Sequence, residues 1–403
     1  YANSLLVGNT MRPLTDRLRI SREKLSYIVD STAAPVASIA VVSTWIGFEV
    51  GTIGDAIASS GIAGDPCATF LASIPFRFYP IFALVFGFMV AFSGRDFGPM
   101  LRAERRARTT GQVLRPGSTP LADFEGASLE PPKGSPARWF NLVLPVAVVV
   151  FGVMAFIYVL GRNAALEAGD PLDLKTIVGS ADSYTALVWA SFLGALTALG
   201  LAWGQRILSM DDAVVAWVQG VKAMLLAAVI LALAWSIGSV TSDLHTSDYL
   251  VNLLGDALAP HWLPVLVFIF SGITAFATGS SWSTMGILMP LVVPLAHALA
   301  PGDAHLLAGA ISGVLAGAVW GDHCSPISDT TVLSSMASSA DHMDHVNTQI
   351  PYALLVAVVA MLLGDVPSAF GVPVWVCWIV GVAVLFGVLR FFGRRVELPE
   401  AKA

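Results

Sequence analysis

The sequence predicts an all-α, polytopic membrane protein whose helices are interrupted by polar clusters. Three observations predict it. Of the 403 residues 56% are hydrophobic and 12% charged, about half the charged fraction of a soluble domain, and the mean hydropathy is +0.73. Apolar stretches long enough to cross a bilayer recur along the chain. Several hold carboxylates, hydroxyls, glycine or proline, where a helix breaks. An uncompensated Asp at mid-membrane costs roughly 2.5–3.5 kcal/mol, and irregular backbone there is tolerated only where it lines a cavity or is buried in protein. The net charge of -6 says little about partners, because the signs are sorted by loop. Cys67, Cys324 and Cys377 are far apart, with no CxxC pair or disulfide framework.

The chain divides into four expected parts: residues 1–94 as first-half membrane segments, 95–138 as a cytoplasmic linker, 139–393 as second-half membrane segments, and 394–403 as a cytoplasmic tail. It opens at Tyr1 without a methionine, so it is expected to be an N-terminally truncated piece with helices missing upstream. Arg12 to Lys24 holds five basic residues against Asp16 and Glu23 and marks a cytoplasmic loop. Ser26 to Gly47 can span but is interrupted by Asp30, Ser31, Thr32 and Pro35. Glu49 to Arg77 reads as an outer segment with short helical turns, and Tyr79 to Ser93 as a span. Basic residues outnumber acids between Arg95 and Arg138, and Pro and Gly recur from Arg115 onward. This is a partly disordered juxtamembrane linker, its arginines a topology signal rather than a nucleic-acid site.

Trp139 to Gly161, Ser183 to Trp203 and Val221 to Val240 are expected spans, followed by a polar loop from Thr241 to His261. Leu263 to Leu299 is too long for one helix and is interrupted by TGSSWST, Thr278 to Thr284. Leu306 to Ala340 contains GDHCSPISDTT, Gly321 to Thr331, where Pro326 must end the incoming helix. Pro351 to Leu363 and Val374 to Phe392 complete the membrane part, and Arg390, Arg394 and Arg395 hold its end in the cytoplasm. Asp341, His342, Asp344 and His345 have metal-like spacing but no second ligand cluster, so a solvated helix start is expected there.

The polar breaks carry the chemistry. In each half a carboxylate precedes a proline by a few residues, DSTAAP early and GDHCSP late, and a Ser/Thr-Trp element stands apart from it. Paired interruptions of this kind are the pattern of an internally repeated transporter. Sodium wants oxygen ligands, which carboxylates, hydroxyls and freed carbonyls supply. A desolvated carboxylate holds a proton when no cation is present, so one site can exchange the two. Candidate ion-binding residues are Asp30, Ser31, Thr32, Ser280, Ser281, Thr284, Asp322, His323, Ser325, Asp329 and Thr330. Asp329, after Pro326 and among hydroxyls, is the expected direct Na+ ligand, with Asp322 orienting His323 or sharing the proton. Ser280, Ser281 and Thr284 alternatively permit close helix packing. No cofactor is expected beyond the transported Na+ and H+.

GDHCSPISDTT, ATGSSWSTMGILMPL (Ala277 to Leu291), DHVNTQIPYAL (Asp344 to Leu354) and YIVDSTAAPV (Tyr27 to Val36) together resemble the NhaC-type Na+/H+ antiporter family. The resemblance runs from Asn3 to about Leu363. It implies a secondary transporter exchanging cytoplasmic sodium for outside protons, in an inverted-repeat fold with re-entrant hairpins and an elevator-like motion. It places Asp322, His323, Ser325, Asp329 and Thr330 in the translocation region. It also admits exchange of organic acids such as malate and lactate. The expected partners are Na+ (or Li+), H+ and the lipid bilayer of the cell membrane, with a homodimer as the assembly to test and no nucleic acid.

An intramembrane aspartyl protease would also place two aspartates in membrane segments, but Val319 stands where its pattern has glycine, and GSSWST has no role in it. A passive channel lacks a repeated filter motif. The topology is open to direct measurement. Single cysteines at Gly117 and Ala401, without the native three, are expected to react with an impermeant reagent only after permeabilisation; labelling of either in intact cells overturns it.

Overall fold

The computed structural model describes residues 2–40, 45–62, 64–120, 138–169, 171–172, 176–177, 180–218, 236, 240, 243–244 and 259–396. Two compact units are distinguished, one of residues 1–41, 51–124 and 231–403, the other of 42–50 and 125–230. Among the described residues six helices are long and apolar enough to cross a membrane, or seven if one bent pair is a single span. The fold is that of an all-α, multi-pass membrane protein.

In the larger unit α1 (Ala2–Arg17) leads to α2 (Arg22–Ser31) and, after a break at Thr32 and Ala33, to α3 (Ala34–Ile39). Ser21 caps α2 by accepting from Lys24 N, and Pro35 in the first turn of α3 fixes the restart. Then come α4 (Ile46–Ser59), which begins in the other unit, and α5 (Pro66–Ser73). A short 3₁₀ turn, Ile74–Phe76, joins α5 to α6 (Phe78–Ser93). Pro66–Phe76 and Phe78–Ser93 meet at 49°, a broken or re-entrant pair rather than one straight span.

Farther along are α10 (Leu263–Thr278), α11 (Ser281–Leu299), α12 (Ala304–Cys324), α13 (Asp329–Ala337), α14 (His342–Ala360) and, after a π-helical segment at Met361–Asp365 and the single turn α15 (Val366–Ala369), α16 (Val374–Phe392). The breaks fall where the sequence put them: α10 ends at Gly279 with φ +66°, and α12 ends just before Pro326. The smaller unit holds α8 (Phe140–Ala168) and α9 (Ser183–Gly204), a helical pair whose outward side chains, such as Phe151 and Trp189, are apolar and exposed. The expected span at 221–240 lies almost wholly outside the described residues, as do 121–137 of the expected linker.

The start of that linker is folded rather than disordered, a correction with a clear cause. Helix α7 (Gly98–Thr110) buries Met100, Ala103, Glu104 and Ala107, one amphipathic face at helical spacing. Glu104 accepts from Ser21 N and Oγ at 2.8 Å each, and Lys24 Nζ sits 2.8 Å from Asp96 Oδ2. Burial pushes the Asp96 carboxyl above the usual aspartate range, against the pull of that ammonium. Arg95–Asp96 (β1) pairs antiparallel with Arg394–Arg395 (β2), so the arginine-rich linker start and the chain's last basic cluster lie side by side.

The core of the larger unit is α12. Its apolar window is 78% buried, against 44% for α10 and for α11. Gly309, Gly313, Gly317 and Gly321 recur every fourth residue along it; Gly309 faces the Pro264 ring and the other three receive α10 at backbone distance. A Cβ on Gly313 would lie 2.6 Å from Pro264 O, and Cβ atoms on Gly317 and Gly321 would overlap the carbonyls of Phe268 and Gly272. Without a hydrophobic driving force between helices in lipid, such close van der Waals contact is what holds them. Ser271 Oγ adds a hydrogen bond to Val314 O at 2.6 Å. Gly317→Ala is therefore expected to cost about 1–3 kcal/mol through overpacking against backbone. Gly387→Ala, where no atom lies within 4 Å, should be neutral; equal melting temperatures for the two in detergent would contradict this packing.

Candidate ion-translocation site

The break at the end of α2 delivers Asp30 and Ser31 into the interior, 1% exposed each. Asp30 is the meeting point of three segments. Thr331 Oγ1 on α13 donates to its Oδ2 at 3.1 Å and Ser334 Oγ to its Oδ1 at 3.3 Å. Gln349 Nε2 on α14 donates to Oδ2 at 2.6 Å and to the backbone carbonyl of His323 at 2.5 Å. His345 Nε2 stands 3.6 Å from Oδ2 and His323 Nε2 4.0 Å, beyond hydrogen-bond length but within ion-pair reach of a protonated ring.

The last turn of α12 brings Asp322 and His323 to the same place. Asp322 is fully buried; Thr330 Oγ1 donates to its Oδ2 at 2.9 Å, and its Oδ1 has no partner among the described residues. Thr331 Oγ1 is also 3.5 Å from the backbone carbonyl of Asp322, so one hydroxyl ties the Asp30 carboxylate to the end of α12. His323 Nε2 meets Ser31 Oγ at 3.2 Å and Nδ1 meets Tyr79 Oη at 2.8 Å, while the Tyr27 ring lies parallel to the imidazole at 6.3 Å. Among the described residues Gln349 Oε1 is another buried acceptor without a partner, and neither His345 ring nitrogen has a hydrogen bond. Unused acceptors beside carboxylates are a setting for a cation or a proton, not for an anion.

The two late breaks support each other. Ser325 Oγ donates to Phe276 O at 2.8 Å, and Gly279 sits so close to Ile327 O that a Cβ would come within 2.7 Å. His342 Nε2 lies 2.6 Å from Pro326 O and meets that carbonyl in the turn between α12 and α13. Backbone groups at a membrane break must be satisfied internally, and these side chains do it.

Of the expected residues, Asp30, Ser31, Asp322, His323 and Thr330 converge in this hydrogen-bonded cluster. Asp329 starts α13, half-buried and within electrostatic range of Asp322. Thr32 Oγ1 bonds back to Ile28 O, and Ser325 serves the break rather than the cluster. Ser280 caps α11 and its carbonyl accepts from Thr284 Oγ1 at 3.0 Å, while Ser281 is buried in the first turn. The expected solvated start of α14 needs correction. Asp341 caps it through Asp344 N at 3.0 Å, as a helix start should, but His342 and His345 turn inward, His345 completely. Burial raises the Asp341 carboxyl, yet amide bonds from Thr119 and Asp344 and the Arg115 charge hold it below the usual range. Sequence reasoning gave no role to Tyr27, Tyr79, Thr331, Ser334, His345 or Gln349. Tyr27 is one turn before Asp30 and three of the others stand in quoted motifs, whereas Tyr79 has no local signal. Among the described residues no group of three or more His, Cys, Asp or Glu could hold a metal ion.

Apolar helices broken at one shared, buried cluster of carboxylates and hydroxyls define the class of multi-pass membrane transporters with discontinuous helices. The chain belongs to the Na+/H+ antiporter family, whose model matches residues 36–364. It is 36% identical over 363 residues to an uncharacterized protein of Haemophilus influenzae, covering 89% of this chain and 66% of that one. The malate-2H+/Na+-lactate antiporter of Bacillus subtilis is 29% identical over 51% of the chain and 38% of its own length. The Na+/H+ antiporter NhaC of Alkalihalophilus pseudofirmus is 27% identical over 38% of the chain and 33% of its own. The chain thus spans at most about two thirds of these relatives.

The geometry separates two groups of hydroxyls. Thr331→Val, nearly isosteric, removes a donor from Asp30 and is expected to cost about 1–3 kcal/mol of stability and to weaken any sodium-induced rise in melting temperature. Ser281→Ala and Thr284→Ala should leave that rise intact; a loss there, with Thr331→Val silent, would move the site to the α10–α11 break.

Proposed function

We propose that the protein is a secondary antiporter exchanging Na+ or Li+ for H+ across the cell membrane, with Asp30 and Asp322 as the carboxylates that alternate between cation and proton. One observation carries this reading. Two buried aspartates far apart in sequence are drawn together at helix breaks, the Thr331 hydroxyl bonding the Asp30 carboxylate and the Asp322 backbone carbonyl, with Asp322 Oδ1 left without a partner among the described residues. A desolvated carboxylate is costly to leave bare, so it takes one ion or the other. Membership of an antiporter family supports transport rather than proteolysis. Asp329, at the first turn of α13, adds negative field nearby and is the entry-side ligand in this scheme. His323, between Ser31 and Tyr79, is placed to relay a proton.

Exchange of an organic acid is the second reading, favoured by the malate and lactate in the name of the Bacillus relative. A carboxylate substrate wants a cationic partner, and no Lys or Arg bonds Asp30 or Asp322 among the described residues. The cluster suits a cation better.

The test is full-length protein in proteoliposomes with a pH-sensitive dye. Sodium or lithium is expected to discharge an imposed pH gradient, and malate or lactate alone is not. Because protonation competes with binding, apparent sodium affinity should improve about tenfold per pH unit below the site's pKa and level off above it. Asp322→Asn and Asp30→Asn keep the shape and remove the titration, so exchange should vanish even at saturating sodium. Affinity flat with pH, or an active Asp322→Asn, would sink the assignment.

A further inference from the structure

A third buried aspartate lies outside this cluster. Asp365 ends the π-helical segment Met361–Asp365 within the span His342–Ala369. It is 3% exposed, its Oδ2 has no hydrogen-bond partner, and no ion pair reaches it among the described residues. The elements packed against it bring almost nothing titratable. Helix α10 has no ionisable side chain and α15 none; α6 offers only Tyr79, engaged with His323; α16 presents Cys377 beside it, with Arg390 at the far end. On its own helix His342, Asp344, His345 and Tyr352 all lie more than a dozen residues back. An ionised carboxylate in that setting costs several kcal/mol, which protonation removes. π-Helical turns, rare and strained, collect at functional positions.

A cavity of about 390 Å³, lined by Phe76, His261, Asp303, His305, Ser368 and Phe370, opens one turn beyond Asp365. Ser368 Oγ donates to Asp365 O at 3.1 Å, and Ser368 O lies 2.9 Å from His305 Nε2. The cavity is at the turn between α14 and α16, the end opposite the β1–β2 pair, which is the outer end if the charge rule puts the arginines in the cytoplasm. Toward the interior, Gly364 presses on the ring of Phe78, whose neighbour Tyr79 holds His323.

We propose that Asp365 is a second proton-carrying group of the exchanger, loaded from this cavity and separate from the Asp30–Asp322 cluster. The proposal rests on the antiport reading, and two measurements keep the failures apart. Infrared difference spectra of the full-length protein in lipid should show a protonated carboxyl at neutral pH, shifting in heavy water and absent from Asp365→Asn but present in Asp322→Asn. In proteoliposomes with the membrane potential clamped at zero, the zero-flux pH difference at a fixed sodium gradient should double in Asp365→Asn, as losing one of two carried protons demands. Asp365→Leu should match it on both readouts. A carboxyl band unchanged in Asp365→Asn means that the group is ionised and overturns the proposal. A band lost with an unchanged flux balance makes Asp365 a structural acid and overturns it too. Wild-type protein without sodium-driven proton movement would instead sink the antiport reading, while the infrared band still decides protonation.

Discussion

The structure depends on how a buried carboxylate at residue 30 is satisfied. Helix α2 stops one residue later, so Asp30 cannot be answered by its own helix and must draw donors from α13 and α14, some three hundred residues away in sequence. Hydroxyls at Thr331 and Ser334 and the amide of Gln349 meet this demand only if α13 lies across the end of α2 and α14 stands beside both. That requirement fixes the position of the α12–α13 break, because Gln349 also holds the carbonyl of His323. Among the described residues the side chains bonded to Asp30 are neutral donors, and no Lys or Arg pairs with it. A Lys or Arg in the same place would neutralise it permanently.

Helix breaks are the second theme, and side chains satisfy backbone groups at the two late ones. Gly279 supplies the left-handed turn that lets α10 end and α11 begin, and it leaves room for the carbonyl of Ile327. Ser325 answers the carbonyl of Phe276 near the end of α10, and His342 meets the carbonyl of Pro326 itself. The glycines of α12 let α10 lie at backbone distance, so the two breaks that follow these helices are held side by side. Local irregularity is thus carried on a tightly packed pair, which positions the carboxylates without making the whole region loose.

Toward the arginine-rich end the charges become paired. Lys24, Asp96 and Glu104 are buried together, Arg106 reaches Glu23, and Arg115 reaches Asp344. Pairs with little water access cost desolvation and return specificity of placement rather than much stability. Lys24 and Asp30 share α2, so anchoring its first turn also sets the depth of the carboxylate in its last. Tyr27, between them, packs on Tyr352 at one edge and lies parallel to His323, which couples the anchored end to the central cluster by contact alone.

Several features were legible from sequence because they are local. Hydropathy over about twenty residues gives spans, a proline ends a helix, and the surplus of arginine assigns sides; α6, α12, α16 and the three breaks follow from these rules. Asp30, Asp322 and His323 were legible as candidates because charge among apolar neighbours needs a reason wherever it sits. Tertiary structure decided what they touch. The start of α7 looked like linker because its charged residues are counted without regard to face, yet one face buries Glu104 against α2. His345 looked solvated because the loop before it is polar, while its helix turns it toward Asp30. Tyr79 carried no signal, since a tyrosine in an apolar run reads as packing until another helix brings an imidazole to its hydroxyl. Local chemistry names the residues that need partners; only packing between distant segments assigns the partners.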